Sequence, residues 1–225
     1  MISSERKKVE VCLSPALYTY FENPAAVAVV VDVLRASSAI VTAFMNGAEK
    51  IIPVATLEEA KEMKDKGFMV AAERDGIVRD FADFGNSPYN FTPERVEKQP
   101  IVYSTTNGTQ AIQLASSSHT VIVGAFLNLK AIADFLKEMN RDVLILCAGW
   151  KNKVNLEDTL FAGALAELLL MEDNFYTICD STLASLDLWM VARHNLTAYI
   201  DKAAQRHRLK KNNLDDVIEY CLSSD

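Results

Sequence analysis

Asp32 and Arg35 stand three residues apart just beyond an apolar run, a pairing suited to phosphate chemistry. An ionised carboxylate at such a place needs a metal, an arginine or several donors to offset its desolvation. A guanidinium presents a planar fork that matches phosphate oxygens. The apolar run is Val27-Ala28-Val29-Val30-Val31, and beyond Asp32 the chain continues Val33-Leu34-Arg35-Ala36-Ser37-Ser38. A second run, Pro100-Ile101-Val102-Tyr103, passes into Ser104-Thr105-Thr106-Asn107-Gly108-Thr109. This turn offers four hydroxyls, one amide side chain and a glycine that permits close backbone approach. Both segments read as a buried strand, a polar turn and a helix. In an open α/β sheet, ligands bind beyond the carboxyl ends of strands, and free N–H groups at helix starts suit anions. The pattern predicts one crevice shared by both turns, with a phosphate as its ligand.

Each of these residues also has a plainer reading. Asp32 can cap the helix and pair with Arg35, and Ser37 and Ser38 are equally good caps. A Ser/Thr cluster before a helix is commonly a cap as well. Further along, Glu73-Arg74 closes an apolar stretch, and Phe84-Gly85-Asn86-Ser87-Pro88 holds two polar side chains in a tight bend. Gly, Asn, Ser and Pro are also the ordinary turn residues. Cys147-Ala148-Gly149 ends another apolar run. A cysteine-phosphatase mechanism would need an arginine six residues on, where the chain has Lys153, so Cys147 is read as a packing or site-lining residue. Asn155-Leu156-Glu157-Asp158-Thr159 opens a helix, where acids complement the macrodipole. If that turn faces Asp32, the carboxylates form an oxygen-rich site suited to Mg²⁺, which would polarise a phosphoryl group. His207 lies in a basic run from Lys202 to Lys211 that reads as a solvated helix face. Should that helix fold over the crevice, Arg206 or His207 could meet an anionic substrate. His194 is the weaker candidate.

Short apolar runs alternating with amphipathic stretches position these residues in an α/β fold with a mostly parallel central sheet and helices on both faces. Strands are predicted at 9–13, 27–31, 50–54, 68–72, 101–104, 120–123 and 142–147. Several are Val/Ile-rich with little alternation, as in strands covered on both faces. Helices are predicted at 37–46, 57–66, 108–116, 129–139 and 157–171. Asn46-Gly47 and Lys66-Gly67 stop two of them, and Thr56 with Glu59 forms a capping-box start. The stretch 73–99 fits neither period, and loops this long tend to be functional or disordered. From about Ser181 every segment reads as helix, which gives a core over 1–180 and a helical segment over 181–225 packed on it, or one domain over 1–225.

The net charge of −7 argues against nonspecific nucleic-acid or anionic-membrane binding. No segment reaches the ~18 consecutive apolar residues of a membrane helix. The polar start, Met1 to Lys8, lacks the apolar core of a signal peptide. Cys12, Cys147, Cys179 and Cys221 are scattered without zinc-site spacing. A cytoplasmic protein with reduced thiols is expected, possible as a homo-oligomer.

Taken together these segments resemble the 2-phosphosulfolactate phosphatase family. The matching stretches are Val11 to Ala16, Asp32 to Ser38, Pro53-Val54-Ala55-Thr56, Ala72-Glu73-Arg74, Phe84 to Pro88, Thr105 to Thr109, Cys147-Ala148-Gly149 and Glu157-Asp158-Thr159. They occur in the expected order between Val9 and Gly163, and the match is weak past Ser181. The resemblance implies an α/β fold of the family's own kind and a Mg²⁺-dependent hydrolysis of 2-phosphosulfolactate to sulfolactate and phosphate, a step of coenzyme M biosynthesis in archaea. It implies catalytic roles for Asp32, Arg35, Arg74 and Asn107. Substrate contacts fall to Ser37, Ser38, Asn86, Ser87, Thr105, Thr106, Gly108, Thr109 and Cys147, and Mg²⁺ to Asp32 with Glu157 or Asp158. Two departures are Ser37-Ser38, where threonine is common, and Asp80-Phe81-Ala82-Asp83, where a glycine usually precedes Phe-Asp.

The substrate so implied carries phosphate, sulfonate and carboxylate on three carbons, so its site must gather several cations and donors. Asp32 can be a metal ligand or a phosphoryl acceptor. A haloacid-dehalogenase mechanism requires a second aspartate two residues after the first, and Leu34 stands there. A noncatalytic sensor of a phosphorylated or sulfonated metabolite is the alternative from another class. Its acids would repel the ligand unless a metal intervened.

Overall fold

The computed structural model describes residues 6–225, so the polar start at 1–5 lies outside the described residues. In chain order the elements are β1 (Lys7–Cys12), β2 (Val27–Val31), α1 (Ala36–Met45), β3 (Lys50–Pro53), α2 (Leu57–Asp65), β4 (Met69–Arg74) and β5 (Ile77–Val78). There follow α3 (Pro93–Val96), β6 (Pro100–Ser104), α4 (Gly108–Leu114), β7 (Thr120–Gly124), α5 (Leu129–Met139) and β8 (Val143–Cys147). The chain ends with α6 (Leu156–Leu170), β9 (Phe175–Tyr176), α7 (Asp180–Ala192), α8 (Leu196–Ile200), α9 (Ala204–Lys211) and α10 (Ile218–Cys221).

The expected mostly parallel α/β arrangement is present, and its strands sort into two sheets. The first has the order β7-β2-β8-β1-β9, with every pairing parallel. The second has the order β3-β6-β4-β5, in which only the short β5 runs antiparallel. All five residues of β2 and all five of β8 are buried, which explains their unbroken apolar sequence. The odd-numbered residues Val27, Val29, Val31, Val143 and Ile145 face a cluster with Leu160, Leu165 and Leu169 of α6. The alternate residues Ala28, Val30, Leu144 and Leu146 face Ala111 of α4, with Ala115 just beyond that helix. Helices thus cover both faces.

The path of two helices explains how the turns meet. Helix α1 leaves β2 of the first sheet and packs Ala36, Ala39, Ile40 and Ala43 against Ala71, Ile101 and Tyr103 of the second. Helix α4 leaves β6 of the second sheet and carries Ala111 onto the first. Each sheet sends its helix to the other, so the turn after β2 and the turn after β6 must cross at the sheet junction. Gly108 marks the crossing. A Cβ there would come within 2.7 Å of the Ala36 Cβ, closer than two carbons approach.

Thr56 and Glu59 form the expected capping box on α2, with Glu59 N–H donating to Thr56 Oγ1 at 3.1 Å and Thr56 N–H to Glu59 Oε2 at 3.0 Å. Two short strands, β5 and β9, escape the sequence because two residues carry no periodicity. The stretch 73–99 holds β5, a 3₁₀ turn at Pro88–Asn90 and the single turn of α3. The C-terminal helices follow the expectation, and Ala192, Ile200, Ala203, Leu209, Ile218 and Cys221 join the same buried cluster as β1, β2 and β8. All four cysteines are free. Among the described residues no helix is long and apolar enough to cross a membrane.

Candidate active site

The two strand-end turns open on one narrow cleft, with about 30 Å³ of free space, at the carboxyl ends of β2, β4 and β8. Of the residues singled out in the sequence, Asp32, Arg35, Asn86 and Asn107 line it. So do Glu73, Gly149, Trp150, Asn155, Gln205 and Arg208.

Asp32 sits where the starts of α1 and α4 converge. Its Oδ1 accepts from Ala36 N–H at 3.3 Å, and the nearby Gly108 N–H helps to hold the carboxylate's pKa down. The helix N-termini therefore face a carboxylate of the protein itself. This corrects the expectation that their N–H groups await the ligand. Burial raises the Asp32 pKa to about 7, against the lowering effect of Ala36 N–H; Glu73 adds to the rise and Arg35 opposes it. Arg35 is also buried, and burial depresses its pKa. Its guanidinium makes no hydrogen bond or ion pair to protein among the described residues. Burying an unpaired guanidinium is costly, so this group is poised for an anion.

The hydroxyls are used differently. Ser37 Oγ accepts from Asp32 N–H at 3.1 Å, and Ser38 Oγ donates to the Val33 carbonyl at 2.7 Å, so both tie down the first turn. Thr105 and Thr109 exchange bonds: each Oγ1 accepts from the other's N–H at 3.2 Å. Thr106 donates to Glu73, both from N–H at 2.8 Å and from Oγ1 at 3.2 Å. None of these five hydroxyl residues, named above as substrate contacts, is brought to the cleft lining. Asn107 does line it, and its Oδ1 accepts from Lys151 N–H at 3.0 Å, which leaves the amide NH₂ free to donate. Gly108 serves by lacking a side chain, since a Cβ there would lie 3.0 Å from Asp32 Oδ2.

Three further residues singled out in the sequence stand away from the cleft lining. Arg74 lies outside the cleft lining. Its Nη2 donates to the Ala55 carbonyl at 3.2 Å and to Ser104 Oγ at 3.1 Å, and its Nη1 to the Glu73 carbonyl, so it braces β4 against its neighbours. Cys147 is fully buried in the apolar cluster beneath β8, and burial pushes its thiol well above the ordinary range. Such a thiol is inert packing. Ser87 heads the 3₁₀ turn at 88–90 without facing the cleft, whereas its neighbour Asn86 is buried with Oδ1 unpartnered.

The adjacent acids at the start of α6 differ. Asp158 Oδ1 accepts from Val33 N–H at 2.9 Å, and Oδ2 from Gly149 N–H at 3.0 Å, so this residue links two strand-end turns. Glu157 is as deeply buried, and neither of its oxygens has a partner. Burial raises its pKa to about 7, and the Asp32 charge adds to the rise while Arg208 opposes it. Among the described residues no three acids, histidines or cysteines form a ready-made metal site. Asp32 and Glu157 repel one another, and the two unpartnered oxygens of Glu157 would welcome a cation; Asp158 has both oxygens engaged.

The cover over the cleft is α9, and sequence reading missed its working residue. Gln205 Nε2 donates to the Leu34 carbonyl at 2.8 Å, which seats the helix on the first turn. Arg208 follows one turn later and enters the cleft. Arg206 instead pairs outside with Asp201 and Asp215, and His207 is exposed. A helix beginning near 204 with Gln205 and Leu209 inward puts position 208 on the same face, a signal present in the sequence once the start is known.

The chain matches the family described as 2-phosphosulpholactate phosphatase over residues 12–225. It is 36% identical over 201 residues to a protein of Caldanaerobacter subterraneus subsp. tengcongensis named as a probable 2-phosphosulfolactate phosphatase, covering 88% of this chain and 83% of that one. A Thermotoga maritima protein of the same printed name is 38% identical over 199 residues, covering 88% and 85%. One from Clostridium acetobutylicum is 30% identical over 201 residues, covering 88% and 85%. With a cleft of buried acids and unpaired arginines at its strand ends, the chain belongs to the 2-phosphosulfolactate phosphatase family, enzymes of the phosphoric monoester hydrolase class.

Proposed function

We propose that this protein hydrolyses 2-phosphosulfolactate to sulfolactate and phosphate with Mg²⁺, the type of step used in coenzyme M biosynthesis. The observation that carries the reading is Arg35, a buried guanidinium without a protein partner, in the same cleft as an Asp32 carboxylate that accepts from the start of α1. Arg35 would bind the phosphoryl oxygens and stabilise the charge that spreads over them as the ester bond breaks. The free NH₂ of Asn107 would donate to the same group and fix its orientation. Asp32 and Glu157 would hold Mg²⁺, a hard cation that accepts few protein oxygens and keeps several waters. When bound, that ion supplies polarisation of the phosphoryl group. The free thiols suit a reducing compartment such as the cytoplasm.

The test is phosphate release from 2-phosphosulfolactate by the purified chain. Turnover with Mg²⁺, lost on chelation and restored by the metal, is the expected result. Tight binding without turnover would favour the sensor, and turnover indifferent to chelator would remove the metal from the reading.

A further inference from the structure

Arg208 is the second guanidinium in the cleft, and its surroundings differ from those of Arg35. Its Nε donates to Gln205 Oε1 at 2.7 Å and its Nη2 to Asn155 Oδ1 at 3.2 Å. The Trp150 ring lies against it, 4.6 Å from ring centroid to Cζ, which sets the plane of the fork. These partners are neutral. Among the described residues no carboxylate forms an ion pair with Arg208, in contrast to Arg206 two residues earlier, whose Nη1 meets Asp215 and Nε meets Asp201. Nη1 of Arg208 keeps its N–H groups unspent on protein.

Position separates the two arginines by task. Arg35 follows Asp32 on the first turn, at the centre proposed for phosphoryl transfer. Arg208 belongs to a wall formed by α9, Trp150 and Asn155. A continuous chain of bonds, from the Leu34 carbonyl through Gln205 to Arg208, fixes this wall relative to the Arg35 turn. A small substrate with several acid groups calls for such spacing, because one guanidinium cannot neutralise groups on different carbons. Resting on the phosphatase reading above, we infer that Arg208 receives the substrate's oxyanion that is not on phosphorus, sulfonate or carboxylate, and so determines specificity.

Calorimetric binding of sulfolactate, isethionate, lactate and inorganic phosphate to the wild type, R208A, R208Q and R208K tests this without turnover. Kinetics on 2-phosphosulfolactate and 2-phospholactate follow on the same proteins. In R208A, affinity for sulfolactate should fall about 10- to 100-fold, the worth of a charge-assisted contact, and more than affinity for phosphate. R208K should fall in between, since it keeps the charge and loses the fork. A matching loss for isethionate assigns the sulfonate, and one for lactate the carboxylate; either supports the inference. In kinetics the loss should appear in KM more than in kcat. Equal losses for sulfolactate and phosphate, or retained sulfolactate affinity in both R208A and R208Q, would overturn it. If R208A fails to fold, R208Q and R208K carry the same comparison. Should the wild type turn over neither ester yet show Arg208-dependent sulfolactate binding, the phosphatase reading falls and this one stands. Hydrolysis with undiminished sulfolactate affinity in the variants gives the reverse.

Discussion

The turn after β2 and the turn after β6 share one sequence grammar and reach opposite uses. In the first, the charged residues Asp32 and Arg35 face the cleft while Ser37 and Ser38 hold the turn. In the second, three threonines hold the turn and only Asn107 faces the cleft. Hydroxyls at a helix start find backbone groups within reach of their short side chains, and are consumed there. A guanidinium cannot be satisfied so locally. The residues left over for a ligand are therefore those whose groups the turn itself cannot satisfy.

The strongest break in this comparison is Asp32→Asn. It should lower kcat by about 10²–10³-fold, on the scale of losing a central electrostatic group. The melting temperature should hold or rise, because the substitution removes a carboxylate that burial disfavours. Wild-type turnover would remove Asp32 from the reaction. Acid quench during turnover separates its two possible roles, since only a phosphoryl acceptor leaves labelled protein. Next in size, Arg35→Ala should reduce kcat/KM by about 10²-fold. An unchanged value would make the first turn as structural as the second.

The acids give a smaller, pH-dependent contrast, read as melting temperature after chelation. Asp32 and Glu157 titrate at about 7 in the folded chain, against roughly 4 for unfolded carboxyls. Between those values the folded state holds protons that the unfolded state has released, so stability falls as pH rises through the window. Above pH 7 added Mg²⁺ should raise the melting temperature, taking the place of the lost protons. A melting temperature that rises steadily with pH in the metal-free protein would contradict the burial of these two groups.

The sequence was most legible where burial is uniform. The runs at 27–31 and 143–147 had no polar side to interrupt them, and they became the fully buried β2 and β8. The pair of turns was legible because each follows such a run. What could not be read was direction. Whether Arg74 or Glu73 enters the cleft depends on strand pleat: Glu73 lines it, whereas Arg74 turns to the Ala55 carbonyl. Adjacent Glu157 and Asp158 look equivalent as letters, yet α6 sends one to two backbone N–H groups and leaves the other unpartnered. Arg208 lay in a run that reads as solvated surface, and only the docking of α9 through Gln205 reveals its inward face.

The finest test falls on the second turn alone. Thr105→Val keeps the side-chain shape and deletes the hydroxyl that accepts from Thr109 N–H. Because Thr105 is fully buried, no water replaces the lost acceptor, and the variant should be destabilised by about 1 kcal/mol in denaturant unfolding. The Thr109 hydroxyl still accepts from the backbone N–H of residue 105, so the turn keeps its path. Asn107 should then stay at the cleft, and kcat/KM should remain within about threefold of wild type. If activity instead collapses with stability intact, the Thr105 hydroxyl touches substrate. The two turns would then share the chemistry that the bonding pattern assigns to the first.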